Sequence, residues 1–188
     1  LSGMQAILAA ARAIRLGETD VVLAGGMESM SRVPYALDTR WGSRMGNIQA
    51  VDLMSRDGFY DPLSGKIMGE TAETLARQYD ISREEQDAFA AATQNRCEAA
   101  RTAGRFRDEI VPVEVKDGKK TATIDRDEHP RDGVTAASLS GLAPVFAAGG
   151  TVTAGNSSGI TDGAAAMLVM AADAAKRLGV VPVARILG

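Results

Sequence analysis

Aromatic side chains are scarce in this chain, with four Phe, three Tyr and one Trp making up 4% of its 188 residues. So sparse a set excludes a stacking platform of the kind that binds nucleic-acid bases. Charge agrees, because 21 Lys and Arg stand against 24 Asp and Glu, a net −3, with no long basic block. Cysteine is nearly absent. Cys97 alone excludes an intramolecular disulfide and fits a reducing compartment, with the cytoplasm as the expected location. His129 is the sole histidine, so no Cys/His cluster has metal-ligand spacing and no metal is expected. No apolar run reaches the length of a membrane-spanning helix, and the first residues lack the charged-then-apolar pattern of a signal peptide. An organellar targeting segment further upstream lies outside this reading. Neither nucleic acid nor membrane is an expected partner.

What the chain does have is small residues: 20 Gly, abundant Ala, and 45% hydrophobic content, enough to bury a core over one domain or one and a half. That composition predicts closely packed helices and strands with near backbone approach. Met4, Ile7, Leu8, Ala11 and Ile14 fall on one helical face, and Gly17 follows as a stop. Val21 to Ala24 reads as a strand buried on both faces, ending in Gly25-Gly26. Helix then buried strand implies an α/β architecture.

From Ser31 to Gly69 the pattern loses its period and reads as long loops with short helices. Thr71 to Gln78 is helical, and Ser82-Arg83-Glu84-Glu85 is a capping box opening a helix to about Thr102. Val111, Val113 and Val115 alternate before Asp117-Gly118, and Thr121 to Ile124 completes a predicted hairpin. Ala164 to Met170 reads as a second buried strand, Asp173 to Leu178 as a short helix stopped by Gly179, and Val183 to Leu187 as the start of another strand.

Three stretches carry chemistry. Ala24-Gly25-Gly26-Met27-Glu28-Ser29-Met30-Ser31 places paired glycines where the chain is expected to leave the strand sharply, with Glu28 read as a structural acceptor rather than a base. Lys66-Ile67-Met68-Gly69-Glu70-Thr71-Ala72-Glu73 puts a polarizable thioether at a helix start. Thr151-Val152-Thr153-Ala154-Gly155-Asn156-Ser157-Ser158-Gly159-Ile160-Thr161-Asp162-Gly163-Ala164-Ala165-Ala166 is a small, hydroxyl-rich segment suited to a narrow slot.

In this order the three motifs resemble those of the thiolases, and the resemblance covers essentially the whole chain. It implies a thiolase-like layered α/β/α core, present in part, with an inserted loop domain. The implied divisions are 1–30 in the later part of the N-terminal core, 31–150 as the loop domain, 151–172 returning to that core, and 173–188 opening the C-terminal domain. It further implies an acyltransferase of fatty-acid and lipid metabolism. Such an enzyme forms or cleaves 3-ketoacyl-CoA, moving an acyl group between a cysteine and coenzyme A or acetyl-CoA as substrates, with no permanently bound cofactor. The implied coenzyme A contacts are Met68 near the thioester, Ala154, Ser158 and Ile160 along the pantetheine arm, and Arg131, Ser138, Leu139 and Phe146 towards the nucleotide. Arg131 is picked out by its frame, Asp127-x-x-x-Arg131-x-Gly133 with Pro144-x-Phe146 beyond.

No catalytic residue is expected within the chain. Leu1-Ser2-Gly3-Met4 resembles the stretch after the family's acyl-accepting cysteine, which would stand just before Leu1, with the catalytic histidine and second cysteine beyond Gly188. His129-Pro130 lacks the family's flanking glycine and reads as a surface site, and Cys97 reads as a packing thiol within a helix. The chain alone is therefore expected to be inactive, and the full-length enzyme to be a homodimer or homotetramer, with the Trp41 loop as an assembly element. Ile67 stands where biosynthetic acetoacetyl-CoA thiolases often carry His, which argues against short-chain biosynthetic specificity. A related condensing enzyme of the ketoacyl synthase kind, or a non-catalytic acyl-CoA-binding protein, remains an alternative.

Overall fold

A computed structural model describes residues 2–118 and 120–187. Two compact units divide it: Leu1–Met54 with Ile160–Gly188, and Ser55–Gly159 between them.

In the first unit, α1 spans Ser2–Arg15, and Gly17 ends it with a left-handed φ of 73° that only glycine adopts cheaply. The strand that follows, β1 (Val21–Glu28), pairs antiparallel with β8 (Gly163–Met170), Val21 opposite Met170 and Glu28 opposite Gly163. The two apolar runs flanking the long aperiodic stretch thus share one sheet, as expected. α1 packs against this ribbon, with Ala10 and Ala24 buried. A short hairpin of β2 (Tyr35–Leu37) and β3 (Ala50–Asp52) also belongs to this unit, as does α5 (Ala172–Leu178), whose Ala174 and Ala175 are buried. Gly179 closes α5 at φ 68°.

Four expectations need correction. β1 and β8 are not buried on both faces: Leu23 is 72% and Leu168 63% exposed, because the described sheet has two strands rather than a covered stack. Gly25 and Gly26 do not end the strand; they pair with Ala166 and Ala165 inside it. Their smallness serves close approach instead, since a Cβ on Gly25 would strike the Ala165 carbonyl and one on Gly26 would lie 3.3 Å from Gly3 Cα. Glu28 accepts no side-chain hydrogen bond among the described residues and is exposed at the strand end. Val183 to Leu187 forms no strand, for no strand lies beside it to complete a ladder among the described residues.

The second unit is built around two helices. β4 (Tyr60–Asp61) and β5 (Lys66–Ile67) form a tight hairpin whose turn is held by the Asp61 carboxylate, accepting from Leu63 N and Ser64 N. α2 (Met68–Gln78) follows at once, and α3 (Arg83–Thr102) starts at the expected capping box: Ser82 Oγ accepts from Glu85 N while Glu85 accepts from Ser82 N. β6 (Val113–Asp117) and β7 (Lys120–Ile124) make the predicted hairpin, and α4 (Ala136–Ser140) packs on α3 through Leu139, Ala90 and Ala91.

Two carboxylates are buried here. Glu73 on α2, 2% exposed, accepts from Thr151 N and Val152 N at 2.8 Å each and from Thr151 Oγ1. Asp87 on α3 accepts from Arg83 Nε at 2.7 Å and Asn156 Nδ2 at 3.0 Å. Such groups persist inside only when fully partnered. Glu73→Ala leaves two backbone amides without an acceptor, so a loss of roughly 2–5 kcal/mol is expected. Glu73→Gln, which keeps one acceptor oxygen, should lose less. Urea unfolding followed by circular dichroism reads both.

Candidate functional site

Met68 opens α2, half-exposed, with Glu70 Oε2 accepting from Ile67 N to fix the helix start. Gly69 beside it lies under the ring of Phe146, so close that a Cβ there would overlap the ring. Phe146 is brought to this point by strand-like pairing: Val145 N donates to Val152 O at 3.0 Å, and Pro144 bridges Thr153. Sequence-distant Met68 and Phe146 thus meet through a glycine.

The same pairing presents Ala154. Thr153, fully buried, donates from its backbone to Asn156 Oδ1 at 2.7 Å, and its Oγ1 accepts from Gly155 N, a compact turn that leaves Ala154 exposed at its tip. Asn156 is itself fixed by donating to Asp87 and to Thr151 O. Gly155 rests on Leu139 and Leu142; a Cβ there would come within 2.8 and 2.5 Å of their methyls. Leu139 is 8% exposed and belongs mainly to the core cluster, so it offers an edge rather than an open face.

Ser138 has its hydroxyl committed. Thr135 Oγ1 accepts from Ser138 N, and Ser138 Oγ donates to Thr135 O at 2.8 Å while accepting from Thr135 N. A hydroxyl has one proton, so towards a ligand Ser138 is left only with acceptor capacity. Ser158 is exposed and has no such engagement among the described residues. Gly159 after it lies against the His129 imidazole, and His129-Pro130 leads directly to Arg131, which is exposed with its guanidinium unpaired among the described residues.

Seven of the eight expected contacts therefore sit in one unit, linked by short backbone approaches at Gly69, Gly155 and Gly159. Ile160 is exposed and belongs to the other unit. Cys97 is half-buried within α3, and His129 is exposed; no hydrogen bond joins them among the described residues. Among the described residues, then, Cys97 and His129 do not form a nucleophile–base pair.

A cavity of about 260 Å³ opens beside the Arg131 loop, lined in part by Asp125, Asp127, Glu128 and Asp132 against Arg101 and Arg126. Four carboxylates against two guanidinium groups make it unfit for a phosphate. Among the described residues no group of His, Cys, Asp and Glu is arranged for a metal.

Sequence reasoning missed Arg83, Asp87 and Glu73 as supports. Glu73 was legible only as part of a motif, and the links from Asp87 to Asn156 and from Glu73 to Thr151 span 69 and 78 residues.

The family profile described as "Thiolase, N-terminal domain" matches residues 1–173. An acetyl-CoA acetyltransferase of Paracoccus denitrificans is 48% identical over 185 residues, 98% of this chain and 47% of that protein. Among solved structures, an acetyl-CoA acetyltransferase from Syntrophomonas wolfei is 43% identical with a TM-score of 0.89, covering 96% of this chain and 46% of that one. Human mitochondrial 3-ketoacyl-CoA thiolase in complex with CoA is 42% identical with a TM-score of 0.86, covering 96% and 45%. The chain spans about half the length of the curated relatives it matches. On the match across residues 1–173 and the motifs it contains, the chain belongs to the thiolase family and has its α/β fold.

Proposed function

We propose that this chain supplies the coenzyme A-holding part of a thiolase, an acyltransferase that forms or cleaves 3-ketoacyl-CoA. What supports the reading is a set of close approaches within one unit, Gly69 against Phe146, Pro144 bridging Thr153, Gly155 against Leu139 and Gly159 against His129, in the segments that carry Met68, Ala154, Ser158 and Arg131. A pantetheine arm is thin and carries amides, so a narrow wall of small residues and hydroxyls suits it. Met68 at the α2 start offers a polarizable contact for the reacting thioester. Arg131, with an unengaged planar guanidinium, suits the phosphates of the nucleotide. The relatives are named as acetyl-CoA acetyltransferases, and one structural neighbour holds CoA.

Acyl transfer needs a thiolate and a proton acceptor in hydrogen-bond reach. Neither Cys97 nor His129 is given that part, so the chain by itself holds coenzyme A without cleaving acetoacetyl-CoA. The proposal takes the domains to run as the family implies, with 31–150 as the inserted loop domain.

Titration calorimetry with coenzyme A tests this directly. Binding by the chain is expected, and Arg131→Ala should weaken it by about 1.5–3 kcal/mol, roughly 10- to 150-fold. Binding unchanged by that substitution removes Arg131 from the site. The absence of any coenzyme A binding overturns the reading as a whole, and so does thiolysis that Cys97→Ala abolishes.

Assembly is the second part of the proposal. Trp41 and Met45, each 93% exposed, project from the loop between β2 and β3. Large apolar side chains so placed, with Arg40 and Arg44 beside them, have the composition of an interface anchor. Trp41→Ala should lower the sedimentation coefficient at micromolar concentration; an unchanged value ends the assembly role.

A further inference from the structure

Helix α3 holds the Arg131 loop at three points. Gln94 Oε1 accepts from Arg131 N at 3.0 Å, Glu98 Oε2 accepts from Gly133 N at 2.9 Å, and Arg101 pairs with the Asp132 carboxylate. Positions 94, 98 and 101 are spaced four and three apart, so they form one stripe along the helix. The loop they meet is short and sharply turned, with Gly133 in the left-handed region at φ 65°. Such a loop has few internal hydrogen bonds, and its backbone amides at 131 and 133 find their acceptors on α3. The Arg131 side chain is left outside this clamp, exposed and unpaired among the described residues.

A long, flexible side chain binds an anion well only if its backbone is already fixed, because ordering it on binding costs affinity. We propose that Gln94, Glu98 and Arg101 are positioning residues that pre-organise Arg131 for the nucleotide end of coenzyme A, acting through the loop backbone without touching the ligand. The proposal rests on the coenzyme A reading above.

The other half of the same helix serves the other half of the wall. Arg83 Nη2 donates to Leu139 O at 2.8 Å and Leu142 O at 2.9 Å, and Asp87 holds Asn156 in the turn that presents Ala154. Loosening the stripe at 94, 98 and 101 therefore leaves that half in place. The effect of the clamp is confined to ligands that carry the nucleotide.

The test compares two probes, coenzyme A and 4′-phosphopantetheine, by titration calorimetry on the whole chain. Glu98→Ala is expected to weaken coenzyme A about three- to tenfold, the cost of ordering one side chain and its loop on binding. It should leave 4′-phosphopantetheine unchanged. Glu98→Gln, whose amide oxygen still accepts from Gly133 N, should restore coenzyme A affinity. Because Glu98 acts only through Arg131, adding Glu98→Ala to Arg131→Ala should cost nothing further. Gln94→Ala, a side-chain truncation within the helix, gives the same readings if Glu98→Ala lowers the melting temperature.

Additive losses in the double variant, equal weakening of both probes, or an unchanged coenzyme A affinity in Glu98→Ala each overturn the clamp while leaving the coenzyme A reading standing. A parent chain that binds neither probe overturns both.

Discussion

Asp87 is the residue on which the second unit turns. A carboxylate 2% exposed is costly to bury, and the structure meets that cost with a short ion pair to Arg83 and a hydrogen bond from Asn156. Each partner is then obliged to stay where it is. Arg83, held by Asp87, directs its remaining donors to the carbonyls of Leu139, Ser140 and Leu142 at the end of α4, the Leu139 carbonyl also accepting from Leu142 N. Asn156, held by the same carboxylate, donates to Thr151 O and accepts from Thr153 N, which shapes the turn from 151 to 156. Removing the carboxylate would free both ends together. No buried side-chain polar atom is left unpartnered among the described residues, so the network is closed, and closed networks of this kind rigidify a core and specify one arrangement.

The second constraint is steric. Phe146 over Gly69, Leu139 and Leu142 against Gly155, and His129 on Gly159 are side chains lying directly on backbone. None of these three glycines has a positive φ, so what each provides is room rather than conformational freedom. A methyl at any of them overlaps its neighbour, so either that side chain or the backbone would have to shift. The wall that results is thin and largely main chain.

Features written in local sequence were legible: the Ser82 capping box, the Gly17 and Gly179 helix stops, and the hairpin at Asp117-Gly118 each depend on residues within four positions of one another. That Val21–Ala24 and Ala164–Met170 share one core followed from two apolar runs flanking the aperiodic stretch; that they pair directly and antiparallel did not. Burial of those strands did not, because an apolar run states what a strand can cover, whereas exposure depends on how many strands and helices are present to cover it. The glycine pair at 25 and 26 was misplaced for a related reason: glycine in a strand signals either a bend or a close neighbour, and only the neighbour distinguishes them. The eight site residues came from motif resemblance. Their supports, at separations from 31 to 79 residues, left no trace in the local pattern.

In the first unit a weaker tie does comparable work at the strand ends. Ser31, three residues past β1, donates from its hydroxyl at 2.6 Å and its backbone N at 2.8 Å to Asp162, which stands just before β8. Because Glu28 and Gly163 are partners in the ladder, this bond closes the end of the ribbon at which both chains depart. The Ser31 hydroxyl, and then its amide, hold the Asp162 carboxyl below its ordinary range. A lowered folded-state pKa means the contribution is present above the unfolded value of about 3.9 and is lost as pH falls through the lowered one. At neutral pH the tie is therefore constant, and its exposure keeps it modest. It sets direction where the chain leaves the ribbon, a task that needs geometry more than energy.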